Sequence, residues 1–197
     1  RSEAPYFFWC GSATGYGLKD VKFILDAYAQ IVAKYPTVRI EFAGHFPEIT
    51  VQMVKKTCTE NGISEENVFI HGFVNNEELK SLIECSTALL LPLWDEIRSI
   101  NRFPTKLGEY LITGRPVITA KGGEVASYCN DKNCLIYSPG DVDEFSHCLE
   151  QAFVDPDHAE SIGKEGAKMA AASFDYRSYS NQLLNWIQNL YANHQVK

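Results

Sequence analysis

The residues with the most chemistry in them lie in one stretch, Arg102-Phe103-Pro104-Thr105-Lys106-Leu107-Gly108-Glu109-Tyr110-Leu111-Ile112-Thr113-Gly114-Arg115-Pro116-Val117-Ile118. Pro104 has a fixed φ that suits the first position of a helix. A helix opening there leaves the amides of Thr105, Lys106 and Leu107 without intrahelical acceptors, next to the positive end of the helix dipole. That is an anion site. Lys106 and Glu109, three positions apart, share one face. The ammonium suits a phosphate, and the carboxylate can accept both hydrogens of a ribose diol, so the first turn carries the pieces needed to hold a nucleoside diphosphate. The same two residues also fit an ordinary surface ion pair worth ~0.2–0.5 kcal/mol. Spacing alone leaves both readings open.

Three other segments could serve the same ligand. Gly11-Ser12-Ala13-Thr14-Gly15-Tyr16-Gly17-Leu18-Lys19-Asp20 is rich in glycine and ends in a cation, but it lacks the Gly-Lys-(Ser/Thr) ending of a phosphate-binding P-loop. The dinucleotide pattern Gly-x-Gly-x-x-Gly is absent too, and a flexible turn is the competing reading. His71-Gly72-Phe73-Val74 closes a short apolar run, either as a simple strand end or as a place where backbone approaches a ligand. Lys121-Gly122-Gly123-Glu124 fits a small anion nest or an ordinary turn. His45 reads as a solvated residue. The five histidines are dispersed, no cysteine pair has zinc spacing, and no nucleophile elbow is present, so metal and Ser–His–Asp chemistry are not expected.

Something must position these segments, and the pattern of the chain says what. Short β-branched and aromatic runs at residues 6–10, 38–43, 68–70, 88–91, 116–119 and 133–137 alternate with helical periodicity at 19–34, 48–61, 77–85 and 104–112. Helices are expected to fill the remainder, the last with an apolar stripe at Leu183, Leu184, Ile187, Leu190 and Tyr191. Strands alternating with helices imply parallel βαβ units, and continuously apolar strands imply burial on both faces. The expected fold is therefore α/β: a Rossmann-like, doubly wound parallel sheet of about six strands with a C-terminal helical segment. In such sheets ligands sit at the carboxyl ends of the strands, and each of the segments above falls there.

Composition agrees. The 197 residues suit a single domain, and 45% hydrophobic residues can build one core. A net charge of −7 argues against a nucleic-acid binder. No apolar run reaches the ~18–20 residues of a membrane span, and no signal-peptide pattern opens the chain. Six scattered cysteines favour a reduced, cytoplasmic setting, with Cys10, Cys85, Cys134 and Cys148 in apolar stretches and expected to be buried.

Glu109-Tyr110-Leu111-Ile112-Thr113-Gly114-Arg115-Pro116-Val117 resembles, position by position, the Glu-(Ala/Tyr)-(Met/Leu)-x-x-Gly-x-Pro-Val motif of the retaining glycosyltransferases of family 4 (group 1). The resemblance extends over the chain through the Gly-then-Lys-Asp opening, Ala43-Gly44, Val68-x-Ile70-x-Gly72-Phe73-Val74, Leu91-Pro92 and Gly122-Gly123. It implies a GT-B enzyme, in which two Rossmann-like domains face each other, with residues 1–197 as the donor-binding domain and the N-terminal acceptor domain absent. The implied activity is transfer of a sugar from a nucleoside diphosphate, a UDP-sugar being the expected donor, to a hydroxyl acceptor with retention, in polysaccharide biosynthesis. By the same resemblance Glu109 holds the donor ribose, and the backbone of Thr105, Lys106 and Leu107 meets the diphosphate together with Gly11, Ser12 and Lys19. Gly72, Phe73 and Val74 read the base through main-chain groups. The family's sugar-contacting Glu falls on Asn101, a departure that leaves Asn101, or else Glu96 or its neighbour Asp95, as the sugar contact. Ser12 stands where the family has a cation, with Lys106 able to compensate. No cofactor or metal is implied. The expected partners are the nucleotide sugar and the acceptor domain, without nucleic acid or a transmembrane segment. The expected location is the cytoplasm, free or peripheral at the inner face of a membrane. Read this way, the chain binds donor without transferring it. A nucleotide-sugar epimerase of the same fold and a non-catalytic nucleotide-sugar-binding module are the alternatives, and the closing helix either packs on this sheet or crosses to the other domain.

Overall fold

A computed structural model describes residues 4–97, 101 and 103–194. Six strands form one parallel sheet: β1 (Tyr6–Ser12), β2 (Arg39–His45), β3 (Val68–Ile70), β4 (Ala88–Leu91), β5 (Val117–Ala120) and β6 (Leu135–Tyr137), in the order β3-β2-β1-β4-β5-β6. The order reverses between β1 and β4, which places the topological switch point at their carboxyl ends. The expected architecture is the one found. Strands β4 and β5 are buried along their whole length, as their unbroken apolar runs require.

Among the described residues seven helices connect and cover the strands: α1 (Tyr16–Val32), α2 (Glu48–Glu60), α3 (Asn76–Glu84), α4 (Thr105–Leu111), α5 (Val142–Val154), α6 (Pro156–Ser173) and α7 (Tyr176–His194). α1 packs against α2 and α5, while α4 packs against α6. Tyr6 reaches the carbonyl of Leu82 in α3, and Cys10 meets Tyr110 in α4. Tyr6 and Cys10 are four apart on one strand and so point to the same face. α3 and α4 therefore share a layer. Local signals start several helices where they should. Asn75 and Glu78 form a capping box at α3, Asp141 caps α5, and Asp155 with Pro156 opens α6.

Two expectations are corrected. α1 begins at Tyr16 rather than Lys19, so half of the glycine-rich segment is helical. Gly15 turns the chain at φ +52°, and Gly17 fits against the Ser12 carbonyl, where a Cβ would stand only 1.8 Å away. Cys85 is exposed because it ends α3, whereas Cys58, read from no apolar run, is buried; Cys10 is half-buried. All six cysteines are free thiols. Of the two readings left open for α7, packing of its apolar stripe on this sheet is not seen: the stripe stands in solvent. Leu183 is 56% exposed and Leu184 52%. Just ahead of that helix, Phe174 packs against Tyr128 at 5.0 Å between ring centroids. Among the described residues no helix is long and apolar enough to cross a membrane.

Candidate ligand-binding site

A cavity of about 350 Å³ opens at the switch point, between the ends of β1 and β4 and the start of α4. Trp9, Cys10, Asp20, Leu91, Thr105 and Lys106 are among the residues that line it. The Lys106 ammonium donates to the carbonyl of Cys10 and lies 5.7 Å from the centre of the Trp9 ring. It does not pair with Glu109, so the ordinary surface ion pair is not formed. Gly11 makes this placement possible. A Cβ there would meet the Trp9 ring at 2.7 Å and the Lys106 Nζ at 3.1 Å. The strand thus ends in a bare backbone with a positive charge laid across it.

α4 is held in place by its own tyrosine. The hydroxyl of Tyr110 accepts the Cys10 amide at 3.2 Å and lies 3.3 Å from the Cys10 thiol. Burial, with the neighbouring Cys10, pushes its pKa well above the ordinary tyrosine range. It stays a neutral phenol at physiological pH and serves as a strut. The Leu107 amide already has an acceptor, the Pro104 carbonyl at 2.9 Å, so the first-turn donors reduce to Thr105 and Lys106.

Lys19, on the first turns of α1, is held beside the cavity rather than in its wall. Its ammonium meets Glu96 at 2.5 Å and sits 3.7 Å above the Trp94 ring. The Trp94 indole N–H in turn donates to Asp20 at 2.8 Å. Two residues expected to touch different parts of a ligand, Lys19 and Glu96, are therefore brought together. Trp94 is a participant that nothing in the sequence singles out. Asn101 is exposed, and its side-chain amide donates to the Ile97 carbonyl at 2.8 Å. Arg102, part of the segment singled out above, lies outside the described residues.

Glu109 is exposed on α4. It borders a different cavity, of about 540 Å³, with Gly108, Phe174 and Asp175. Ser12 is exposed, its hydroxyl 3.1 Å from that of Thr14. The turn after β3 is tied to the turn after β2, since the Gly72 carbonyl accepts the Gly44 amide at 2.7 Å. Val74 is partly buried, while Phe73 projects into solvent. At the end of β5, Gly123 turns at φ +52° and begins a short 3₁₀ turn, Gly123–Ser127.

A buried carboxylate is not expected from the sequence pattern. Glu41, in mid-strand, is only 4% exposed and meets His71 Nε2 at 2.9 Å. The register Glu41↔Phe69 puts His71, two residues after Phe69 and just past the end of β3, on the same face. The available signal is a polar residue in every second position of Arg39-Ile40-Glu41-Phe42. It reads as a solvent-facing edge unless the histidine on the next strand is counted.

Comparison with known proteins gives the family. The family model for glycosyl transferases group 1 matches residues 4–155. No curated protein matches the sequence. Among solved structures, sucrose-phosphate synthase from Thermosynechococcus elongatus is similar over 98% of this chain and 47% of its own, with 18% identity and a TM-score of 0.78. HepE from Anabaena, solved with UDP and glucose, is similar over 95% of this chain and 49% of its own, at 19% identity and TM-score 0.75. The chain thus spans about half the length of these structures. The C-terminal domain of a group 1 glycosyl transferase (LpcC) from Francisella tularensis is similar over 88% of this chain and 89% of its own, at 16% identity and TM-score 0.71. With the family model covering more than three quarters of its residues, the chain belongs to the group 1 glycosyl transferases.

Proposed function

We propose that this chain holds a nucleoside-diphosphate sugar, with UDP as its nucleotide, along the carboxyl ends of β1 to β4. Joined to a second domain that presents the acceptor, it transfers the glycosyl group to a hydroxyl with retention. The bond between the anomeric carbon and the diphosphate breaks, the acceptor oxygen takes its place on the same face, and the diphosphate departs with the bonding electrons and takes up the proton given up by the acceptor hydroxyl. The observation that carries this reading is Lys106, whose ammonium lies across the bare end of β1 beside the opening of α4. A fixed positive charge at that point stabilises the charge that develops on a departing diphosphate. HepE, similar in fold, has been solved with UDP-glucose, which supports uridine as the nucleotide.

The other roles follow from position. Glu109, exposed on the same helix, accepts the ribose hydroxyls, and the Gly72–Val74 turn meets the base. Asn101 or Glu96 faces the sugar. Lys19 joins the diphosphate by exchanging Glu96 for phosphate. Both partners of that pair are more than a third exposed, with side-chain exposures of 43% and 36%. Exposed pairs of this kind contribute only ~0–1 kcal/mol, so the exchange costs little.

Calorimetric titration with UDP and UDP-glucose tests the reading. Glu109→Ala is expected to weaken binding by ~1.5–3 kcal/mol, the loss of a charged hydrogen bond, with the fold intact because the residue is exposed. Unchanged affinity would remove Glu109 from the site. The same titration in the presence of a chelator is expected to give the same affinity, because lysines and backbone amides supply the positive field. A tenfold weakening on chelation would show that a divalent cation belongs to the site.

A further inference from the structure

We propose that Trp94 is a positioning residue for Lys19: it holds the Lys19 ammonium beside the switch-point cavity, so that the lysine exchanges Glu96 for a diphosphate without changing place. This rests on the reading of Lys19 as a contact of the donor diphosphate. Two consecutive residues of α1 meet one indole ring. Lys19 lays its ammonium 3.7 Å above the centre of the Trp94 ring, and Asp20 accepts the indole N–H at 2.8 Å. One turn of helix thus grips the same side chain by its face and by its edge. At 3.7 Å the ammonium is well inside the ~6 Å reach of a cation–π contact, for which Trp is the best aromatic partner.

The ring is itself fixed. Trp94 is half-buried, three residues past the end of β4. Phe23, one turn after Lys19 on α1, meets it edge to face with ring centroids 5.0 Å apart. Phe23 in turn sits in the core, packed on Tyr137 and Phe145. The Tyr137 hydroxyl accepts the amide of Leu93 at 3.2 Å, which fixes the backbone next to the tryptophan. The turn at Gly140 also lies against the ring, 3.8 Å from where a Cβ would stand. A lysine has a long flexible stem and loses that freedom when it binds. Here the ring supplies the ordering in advance. An ammonium has three donors, so the one engaged by Glu96 can pass to a phosphate oxygen while the contact with the ring face persists. Asp20 finds its place by the same arrangement. It lines the cavity, where a carboxylate opposes an anion, and the indole N–H draws on part of its charge.

The test is a double-mutant cycle on the 197-residue protein, read by calorimetric titration with UDP. Lys19→Met is expected to weaken UDP roughly tenfold or more, the loss of one charged contact. Trp94→Leu, which removes the ring face, is expected to weaken it about fivefold, and Trp94→Phe, which keeps a weaker face and loses the N–H, about twofold. In the Lys19→Met background neither change at Trp94 should lower UDP affinity further. A residue that only supported the fold would cost the same with or without the lysine. Thermal melting followed by circular dichroism shows whether each variant is folded, and if Trp94→Leu is not, the cycle is read from Trp94→Phe. A loss in Lys19→Met with none in the Trp94 variant overturns the positioning role alone, as does an undiminished Trp94 effect in the Lys19→Met background. Unchanged UDP affinity in Lys19→Met removes Lys19 from the site, and the role of Trp94 with it. No UDP binding by the parent overturns the nucleotide reading as a whole.

Discussion

Replacing Gly44 with alanine is expected to cost about 4 kcal/mol or more, most of the stability of a domain at the low end of the ~5–15 kcal/mol range of ordinary domains. Gly44 sits at φ +116°, a conformation open to glycine and strained for any residue with a Cβ. Strain of that kind alone costs ~1–3 kcal/mol. The added methyl would also stand 2.0 Å from the Gly11 carbonyl oxygen and 2.9 Å from its carbon. Both are backbone atoms of the paired strand, Gly11↔Gly44, so no side-chain rotation relieves the clash. The amide of Gly44 also carries the link to Gly72, so the turns after β2 and β3 would shift with it. Gly62 provides the control. It too has positive φ, +66°, but nothing lies within 4 Å of a Cβ placed there. Gly62→Ala is expected to cost only ~1 kcal/mol, from backbone conformation alone. Urea midpoints for the two variants measure the difference. A Gly44→Ala protein within about 1 kcal/mol of the parent would show that the strand ends separate easily and that the close approach at the site is not a structural requirement.

Ala43-Gly44 is legible in the sequence as a strand end, because an apolar run stops at a glycine. That the glycine is needed against Gly11, on a strand some thirty residues earlier, depends on parallel register and carries no local signal. The same division holds elsewhere. β3 and β4 fall at 68–70 and 88–91 as expected, since short apolar runs bounded by polar residues leave little freedom in where a strand starts. Lys106 is legible as a cation on the first turn of a helix. Its partner is the Cys10 carbonyl, distant in sequence, rather than Glu109 at helical spacing, because α4 is docked on β1 by Tyr110. Lys19 with Glu96, and Glu41 with His71, are likewise pairs made by topology. The stripe on α7 is legible as amphipathic, but periodicity states only that one face is apolar and not what lies against it.

The largest effect expected for this chain is a separation of binding from turnover. The 197 residues are expected to bind UDP-glucose with modest affinity, yet to release UDP no faster than background when an acceptor is supplied. Support comes first from length. The chain spans about half of sucrose-phosphate synthase and of HepE, and the structure it matches most evenly in extent among these is a C-terminal domain. The second support is the site. Among the described residues around the switch-point cavity, Lys106 is committed to the Cys10 carbonyl and Asp20 accepts the Trp94 indole. Tyr110 is held as a neutral phenol by burial, unable to act as a base near neutrality. These groups can hold and stabilise a diphosphate, but they do not build a second wall against which an acceptor hydroxyl could be aimed at the anomeric carbon. Positioning of two reactants is worth ~7–11 kcal/mol of barrier, about 10⁵–10⁸ in rate, and no single contact on one domain replaces it. A domain of similar size that closes over the cavity would supply it. Coupled assay of UDP release by this chain, alone and joined to such a domain, checks the expectation. Acceptor-dependent turnover by the 197 residues alone would mean that the chain builds its own acceptor site, and that the opening beside α4 is a complete active site.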